Sequence, residues 1–311
     1  MREKPILTIC IPTYNRADVF RGSLECVYNQ LQDIDLSEVE IYVSDNCSSD
    51  NTWEIVDTFI KRGLPIKYNR NQENLLAAGN FLHCINWASG KYIYLLGDDD
   101  YLLPGSIKLL LDALRGKEYG LLFLKNEEHE NTGLVMEYVD KTEFVKKVSY
   151  YYTFISGCVF RKSIVKDIEN PIRYKPTHLL QMPFYLESTI SFNCNAMLFG
   201  KVLQVGVASD SNGGYNFFDV FVHWYLEIMK EYLGDCDSIS PGIIAFLKKD
   251  IWPFVYRYSV RILVHKDVGN FKYKNGWKIL IKYYGHEWYF WRSWIGFVVG
   301  YAKRKMKKML K

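Results

Sequence analysis

From residue 5 to residue 99, short apolar runs rich in β-branched residues alternate with stretches of helical periodicity, and no other feature restricts the fold as much. PILTICI (5–11) stops at Pro12 and reads as a buried strand. Val19, Leu24, Val27 and Leu31 then share one helical face. EIYVSD (40–45) is a second apolar run, after which Ser49 or Asp50 is placed to cap a helix carrying Ile55, Val56, Phe59 and Ile60. PIKYNRN (65–71) is a third strand, a helix follows through 75–88, and KYIYLLGDD (91–99) is a fourth strand. Such alternation predicts an α/β fold, a mostly parallel sheet flanked by helices. Ligands of these sheets bind outside the carboxyl ends of the strands. Thr13–Asn15, Asp45–Ser48, Asn69–Asn74 and Gly97–Asp100 all fall there, which marks one site.

Asp98, Asp99 and Asp100 directly follow the apolar YIYLL and Gly97. Three adjacent carboxylates repel one another unless a cation is shared. Oxygen-only ligands suit a hard divalent ion, Mg2+ or Mn2+, which commonly also takes substrate phosphates as ligands. A bare acidic triplet reads more simply as a turn capping the next helix, but its position at a strand exit favours the metal. The chain has no G-x-G-x-x-G fingerprint, no P-loop and no G-x-S-x-G elbow, so dinucleotide, ATP and serine-hydrolase readings lose their main support.

Pro12-Thr13-Tyr14-Asn15 leaves the first strand, Asp45-Asn46-x-Ser48-x-Asp50 the second, Asn74, Gly79 and Asn80 lie on the approach to the third helix, and Gly90-Lys91-Tyr92 leads into the strand of the triplet. In this order, over roughly residues 5–115, the set resembles the family 2 glycosyltransferases of the GT-A fold. Gly97-Asp98-Asp99-Asp100 with Pro104 is similar to the abequosyltransferase-like branch that builds bacterial surface polysaccharides. The resemblance implies that Pro12, Thr13, Tyr14, Asn15, Asn74 and Asn80 line the nucleotide site, with Tyr14 stacked on the base. Asp45 would accept a hydrogen bond from a uracil-type ring, and Asp98 would sit near the ribose and the metal. Asp99 would hold the metal at the diphosphate, and Asp100 would reach the donor sugar or the metal's waters. Gly97 stands where the commoner D-x-D-D form has its first Asp.

An inverting transferase also needs a base for the acceptor hydroxyl. Family 2 enzymes often carry a Glu-Asp pair about twenty residues after the strand equivalent to 154–162. Here that region reads Tyr174 to Gln181 without a carboxylate. His178 is the nearest match, with a structural capping His as the equal alternative, and Glu187 and Asp210 are the fallbacks. Arg161 would either bind an acceptor phosphate or form a surface ion pair. The loop Ser209–Gly214 would either close over the donor or be an ordinary surface loop.

Further along, GLLFLKN (120–126) and FISGCVFRK (154–162) read as strands, and 140–150, 178–190, 215–233 and 243–265 as helices. The resemblance divides the chain into a donor-binding half (1–115), an acceptor-binding half of the same domain (116–214) and a helical, aromatic C-terminal extension (215–311). That extension ends in six basic residues and no acid over 303–311. Without them 39 basic side chains fall to 33, against 35 acidic ones, so the body is not a nucleic-acid binder. The aromatic run from Trp288 to Tyr301 beside these cations suits an anionic membrane surface, and Arg292 argues against spanning it. Seven scattered cysteines without a C-x-x-C pair fit a reducing cytoplasm. The expectation is a metal-dependent enzyme, peripheral on the inner face of the cell membrane, that moves a sugar with inversion from a nucleotide-diphosphate donor to a saccharide or lipid-linked acceptor. The rivals are a sugar nucleotidylyltransferase and a non-catalytic carbohydrate- or membrane-binding protein on the same fold.

Overall fold

A computed structural model describes residues 4–128, 130, 132–206 and 214–309. The predicted alternation appears as β1 (Leu7–Thr13), α1 (Ala17–Gln30), β2 (Val39–Asp45), α2 (Thr52–Lys61), β3 (Ile66–Arg70), α3 (Leu76–Trp87) and β4 (Tyr92–Leu95). Then come β5 (Tyr101–Leu102), α4 (Ser106–Leu114), β6 (Leu121–Lys125), β7 (Val135–Tyr138), α5 (Lys141–Val148), β8 (Cys158–Arg161), α6 (Gln181–Ser191), β9 (Asn195–Phe199) and β10 (Leu203–Gln204). Helices α7 (Tyr225–Leu233), α8 (Ile243–Asp250), α9 (Trp252–Ser259), α10 (Gly276–Tyr284) and α11 (Trp288–Met309) follow.

The main sheet has the order β3-β2-β1-β4-β8-β6-β9-β7. Strands β1 to β4 are mutually parallel, so their carboxyl ends share one edge. Strand β8 runs antiparallel to both β4 and β6. Its reversed course brings its first residues to the edge where β4 ends. The segment leading into β8 and the acidic triplet therefore meet at one place.

Alternation along β1 sends Leu7, Ile9 and Ile11 to one face and Cys10 to the other, each fully buried. The first face packs with Phe20, Leu24, Val27, Ile55 and Phe59, and the second with α3, α6 and the C-terminal helices. Burial of each such aliphatic side chain contributes about 1.5–3 kcal/mol. Helix α1 is phased differently from the expected face, with Phe20 in place of Val19, because 20, 24, 27 and 31 follow the 3.6-residue period more closely. On α2, Ile60 likewise turns outward. Asp50 serves two helix starts, accepting from the Thr52 N–H at 3.2 Å and the Ala17 N–H at 3.0 Å.

A second, two-stranded ribbon pairs β5 with β10. The Leu103 N–H donates to the Val202 carbonyl at 3.0 Å, and the Ser106 hydroxyl to the same carbonyl at 2.6 Å. Gly206 lies so close that a Cβ there would stand 2.2 Å from the Asp99 carbonyl oxygen. Residues 202–206 thus clamp the segment carrying the triplet.

The C-terminal helices are held together by aromatic contacts. Phe217 meets Phe221 and Tyr258 with ring centroids 5.0 Å apart, and Trp252 meets Tyr284 at 4.8 Å. The start of α11 belongs to this core: Tyr289 and Phe290 are buried, and Trp252 Nε1 donates to the Ser293 hydroxyl at 3.0 Å. Farther along, Trp291, Ile295, Val298 and Val299 lie on one exposed face of α11. No described helix is long and apolar enough to cross a membrane.

Candidate active site

The exits of β1, β2 and β4 build a polar floor. Asp98 is buried, takes a hydrogen bond from the Thr13 hydroxyl at 2.9 Å and is paired with Arg16 at 2.6 Å. The same guanidinium reaches Asp99 at 2.8 Å. Asp100 accepts from the Ser156 hydroxyl at 2.6 Å and from the Gly206 N–H at 3.0 Å. Ser156 in turn takes the Gly97 N–H at 2.9 Å. Each carboxylate of the triplet thus faces differently, Asp98 into the floor, Asp99 outward and Asp100 toward the segment leading into β8.

Electrostatics follow from that burial. Removal from water pushes the Asp98 carboxyl up to about 6, with Arg16 and Thr13 opposing and the neighbouring acids assisting. Burial also raises Asp100, against the donors Ser156 and Gly206. Burial works against the charge of Arg16, but the three acids outweigh it and hold the guanidinium above its ordinary value.

A divalent ion would meet one outward carboxylate here. Among the described residues no three of His, Cys, Asp and Glu gather into a cage. Ions that keep waters and bind substrate phosphates need only one or two protein carboxylates. Asp99, with 17% of its side chain exposed against 6% for Asp98, fits that demand.

Beyond the exits of β1 and β3, Tyr14 and Asn74 are exposed. Asn15, with φ +50°, holds the loop by accepting from the Ser49 N–H at 2.7 Å. Asp45 is buried and accepts from the Ser48 N–H at 2.8 Å and the Tyr68 hydroxyl at 2.6 Å, and each of its oxygens keeps a further lone pair. Asn80 is buried too, and its amide ties Ser44 and Asn71 together. Asn74 links Asn46 to the start of α3. Both asparagines shape the floor from within or beside it. Pro12 is buried in β1.

The base candidates are scattered. His178 has φ +59°, follows the turn Pro171–Thr177, and its ring lies 5.3 Å from that of Tyr215. Burial and Lys272 hold its imidazole below the ordinary value, so it is neutral at pH 7. Glu187 gives an oxygen to the Ser191 hydroxyl one turn farther along α6. Asp210 and most of the loop 209–214 lie outside the described residues. Arg161 sits opposite Tyr92, at the sheet edge away from the strand exits, and pairs there with Glu118. That position rules it out as a partner of the triplet.

Sequence reasoning missed Arg16, Tyr68, Ser156 and Gly206. Arg16 had a signal, since it directly follows the exit residues of β1, and Tyr68 lies on the third strand paired beside Asp45. Ser156 and Gly206 had none, being 56 and 106 residues from Asp100.

The sequence profile of Glycosyl transferase family 2 matches residues 8–178, more than half of the chain. The abequosyltransferase RfbV of Salmonella typhimurium is 38% identical over 106 residues, 34% of this chain and 31% of that one. A GalNAc(5)-diNAcBac-PP-undecaprenol beta-1,3-glucosyltransferase of Campylobacter jejuni is 28% identical over 170 residues, 52% of this chain and 54% of that one. The chain thus spans 31% and 54% of the length of these two relatives. Among solved structures, S. aureus TarS 1–349 in complex with UDP superposes with a TM-score of 0.62 at 18% identity, covering 83% of this chain and 75% of that one. The mannosyltransferase PcManGT of Pyrobaculum calidifontis, in complex with GDP-Man and Mn2+, gives 0.55 at 14% identity, covering 80% and 70%. The fold is that of the GT-A glycosyltransferases.

Proposed function

Because the chain belongs to glycosyl transferase family 2, we propose that it moves a sugar from a UDP-sugar to a saccharide acceptor, carried on a lipid, during synthesis of a bacterial surface polysaccharide such as a capsule or O-antigen. The observation that carries this reading is the triplet at the strand exits, with one outward carboxylate, a guanidinium across two of them, and exposed Tyr14 nearby. TarS, a fold neighbour, is described with UDP, and the Campylobacter relative is named for an undecaprenol-linked substrate.

In this reading Tyr14 stacks on the base and Asp45, fixed by Ser48 and Tyr68, accepts from its ring N–H. Asp98 orders the ribose side. Asp99 would hold Mn2+ or Mg2+ against the diphosphate, where a bound divalent ion supplies Lewis-acid stabilisation of the leaving group. Arg16 supplies a second positive charge toward the phosphates. Transfer is a single displacement with inversion. A thermal-shift series with UDP, GDP, CDP and ADP, each with and without Mn2+, tests the donor assignment. UDP with Mn2+ is expected to stabilise most, on the order of 2.7 kcal/mol at a hundredfold excess over Kd. Stabilisation by none of the four would defeat the reading.

The exposed stripe of α11 and the cations beyond it in the sequence support a peripheral location at the inner membrane surface. Because Tyr289 and Phe290 belong to the core, a cut near residue 287 would damage the fold. The double substitution Ile295→Glu with Val298→Glu spares that core. The unsubstituted chain is expected to sediment with phosphatidylglycerol vesicles at low salt and release at high salt. The double variant is expected to bind at least roughly tenfold more weakly, and equal sedimentation would refute the membrane assignment.

A further inference from the structure

A cavity of about 620 Å3 opens beside the triplet on the side of the reversed strand β8. Ser156 and Gly206, the two partners of Asp100, both line it. It therefore begins one hydrogen bond from Asp100. Part of its wall is a row of rings: Tyr150 stacks on Tyr151 at 4.8 Å and on Phe254 at 5.6 Å, with interplanar angles of 20° and 15°. Aromatic rings suit the C–H faces of a pyranose, whose hydroxyls then point to the cavity's few polar groups, and Tyr151 in this row is 40% exposed.

Those polar groups come from the chain leaving β6. Asn126 is occupied with backbone, donating to the Leu203 carbonyl and accepting from the Val202 and Leu203 N–H groups. Lys125 and Glu127 remain, paired at 3.3 Å. Glu127 is the single carboxylate among the described residues lining the cavity. No other wall supplies a described acid. Helix α6 begins with neutral Gln181, buried, whose amide N–H donates to the Thr153 carbonyl at 2.7 Å and whose Oε1 has no partner. Glu187 does not line the cavity, and His178 reaches it only through Tyr215, which does.

We propose that this cavity is the acceptor subsite, seating a pyranose against the Tyr150 row, and that Glu127 is the general base of the transfer, an inference that rests on the transferase reading above. The acceptor hydroxyl gives its proton to a Glu127 carboxylate oxygen while its own oxygen bonds to the anomeric carbon of the donor. The bond from that carbon to the phosphate oxygen breaks, and its electron pair leaves on the nucleoside diphosphate. Lys125 positions the carboxylate through its ion pair.

The test uses the full chain, UDP-sugars as donors and p-nitrophenyl glycosides as acceptor probes. Glu127→Gln is expected to lower kcat for transfer by roughly 10²–10⁴-fold, with the donor KM and the UDP-induced thermal shift unchanged. Glu127→Asp, which keeps the carboxylate, is expected to recover part of the rate. Tyr150→Ala is expected to raise the acceptor KM by a larger factor than the donor KM. Transfer by Glu127→Gln at the unsubstituted rate would overturn the assignment, as would its loss in His178→Ala or Asp210→Asn with Glu127→Gln unaffected. No turnover of any UDP-sugar by the unsubstituted chain would instead overturn the transferase reading itself.

Discussion

Asp99→Asn is expected to cut turnover by roughly 10³-fold or more, a loss of about 4 kcal/mol of transition-state stabilisation. Asp99 is the most exposed carboxylate of the triplet, and its peptide is pinned by Gly206. Asn has nearly the same shape and keeps the pinned backbone, so the substitution removes charge and little else. The variant is expected to melt within a few degrees of the parent and to lose the extra stabilisation that Mn2+ gives with UDP. That second readout separates a lost metal ligand from a general loss of activity. Near-parental turnover in Asp99→Asn, or full parental activity in excess chelator, would remove Asp99 from the proposed metal site.

Arg16→Ala is expected to cost on the order of 3 kcal/mol of stability at pH 8, because it leaves a buried carboxylate without its cation. The loss should depend on pH in a defined direction. The folded-state value for Asp98, about 6, lies above the ordinary 3.8. A raised carboxyl binds its proton more tightly in the folded state, so it lowers stability as pH rises through the window between those values. Without Arg16 the Asp98 carboxyl moves higher still and the fall continues to higher pH. The gap between parent and variant is therefore expected to be small near pH 4 and to widen above pH 6. Urea titrations at pH 4.5, 6 and 8 measure it, and a gap independent of pH would mean that Arg16 stabilises the floor by packing rather than by charge.

Much of residues 5–115 was legible because its information is local. β-branched runs ending in Pro12, Asp45 and Gly97 announce buried strands and polar exits, and those exits carry the Tyr14, Asp45 and Asp98–Asp100 groups. Helix phase was legible only approximately, since choosing between Val19 and Phe20 requires knowing which side faces the sheet. Strands β7 and β9, of four and five residues, escaped notice although β4 and β3 are no longer than they are. The reversal of β8 is a property of pairing, which no run of residues records. The groups that tune Asp100 come from Ser156 and Gly206, whose only claim to that role is where the folded chain puts them.

The ribbon of β5 and β10 also bears on how the protein comes into being. When residue 115 has been synthesised, the triplet exists with Thr13 and Arg16 but without either partner of Asp100. Ser156 follows 56 residues after Asp100 and Gly206 follows 106 residues after it. At ribosomal speeds of about 5–20 residues per second, the clamp arrives roughly 5–20 s after the acids it holds. A nascent chain therefore passes through an interval in which the triplet is made but Asp100 has neither of its partners. The clamp is complete only when the strand from beyond residue 200 has been made and pairs with β5.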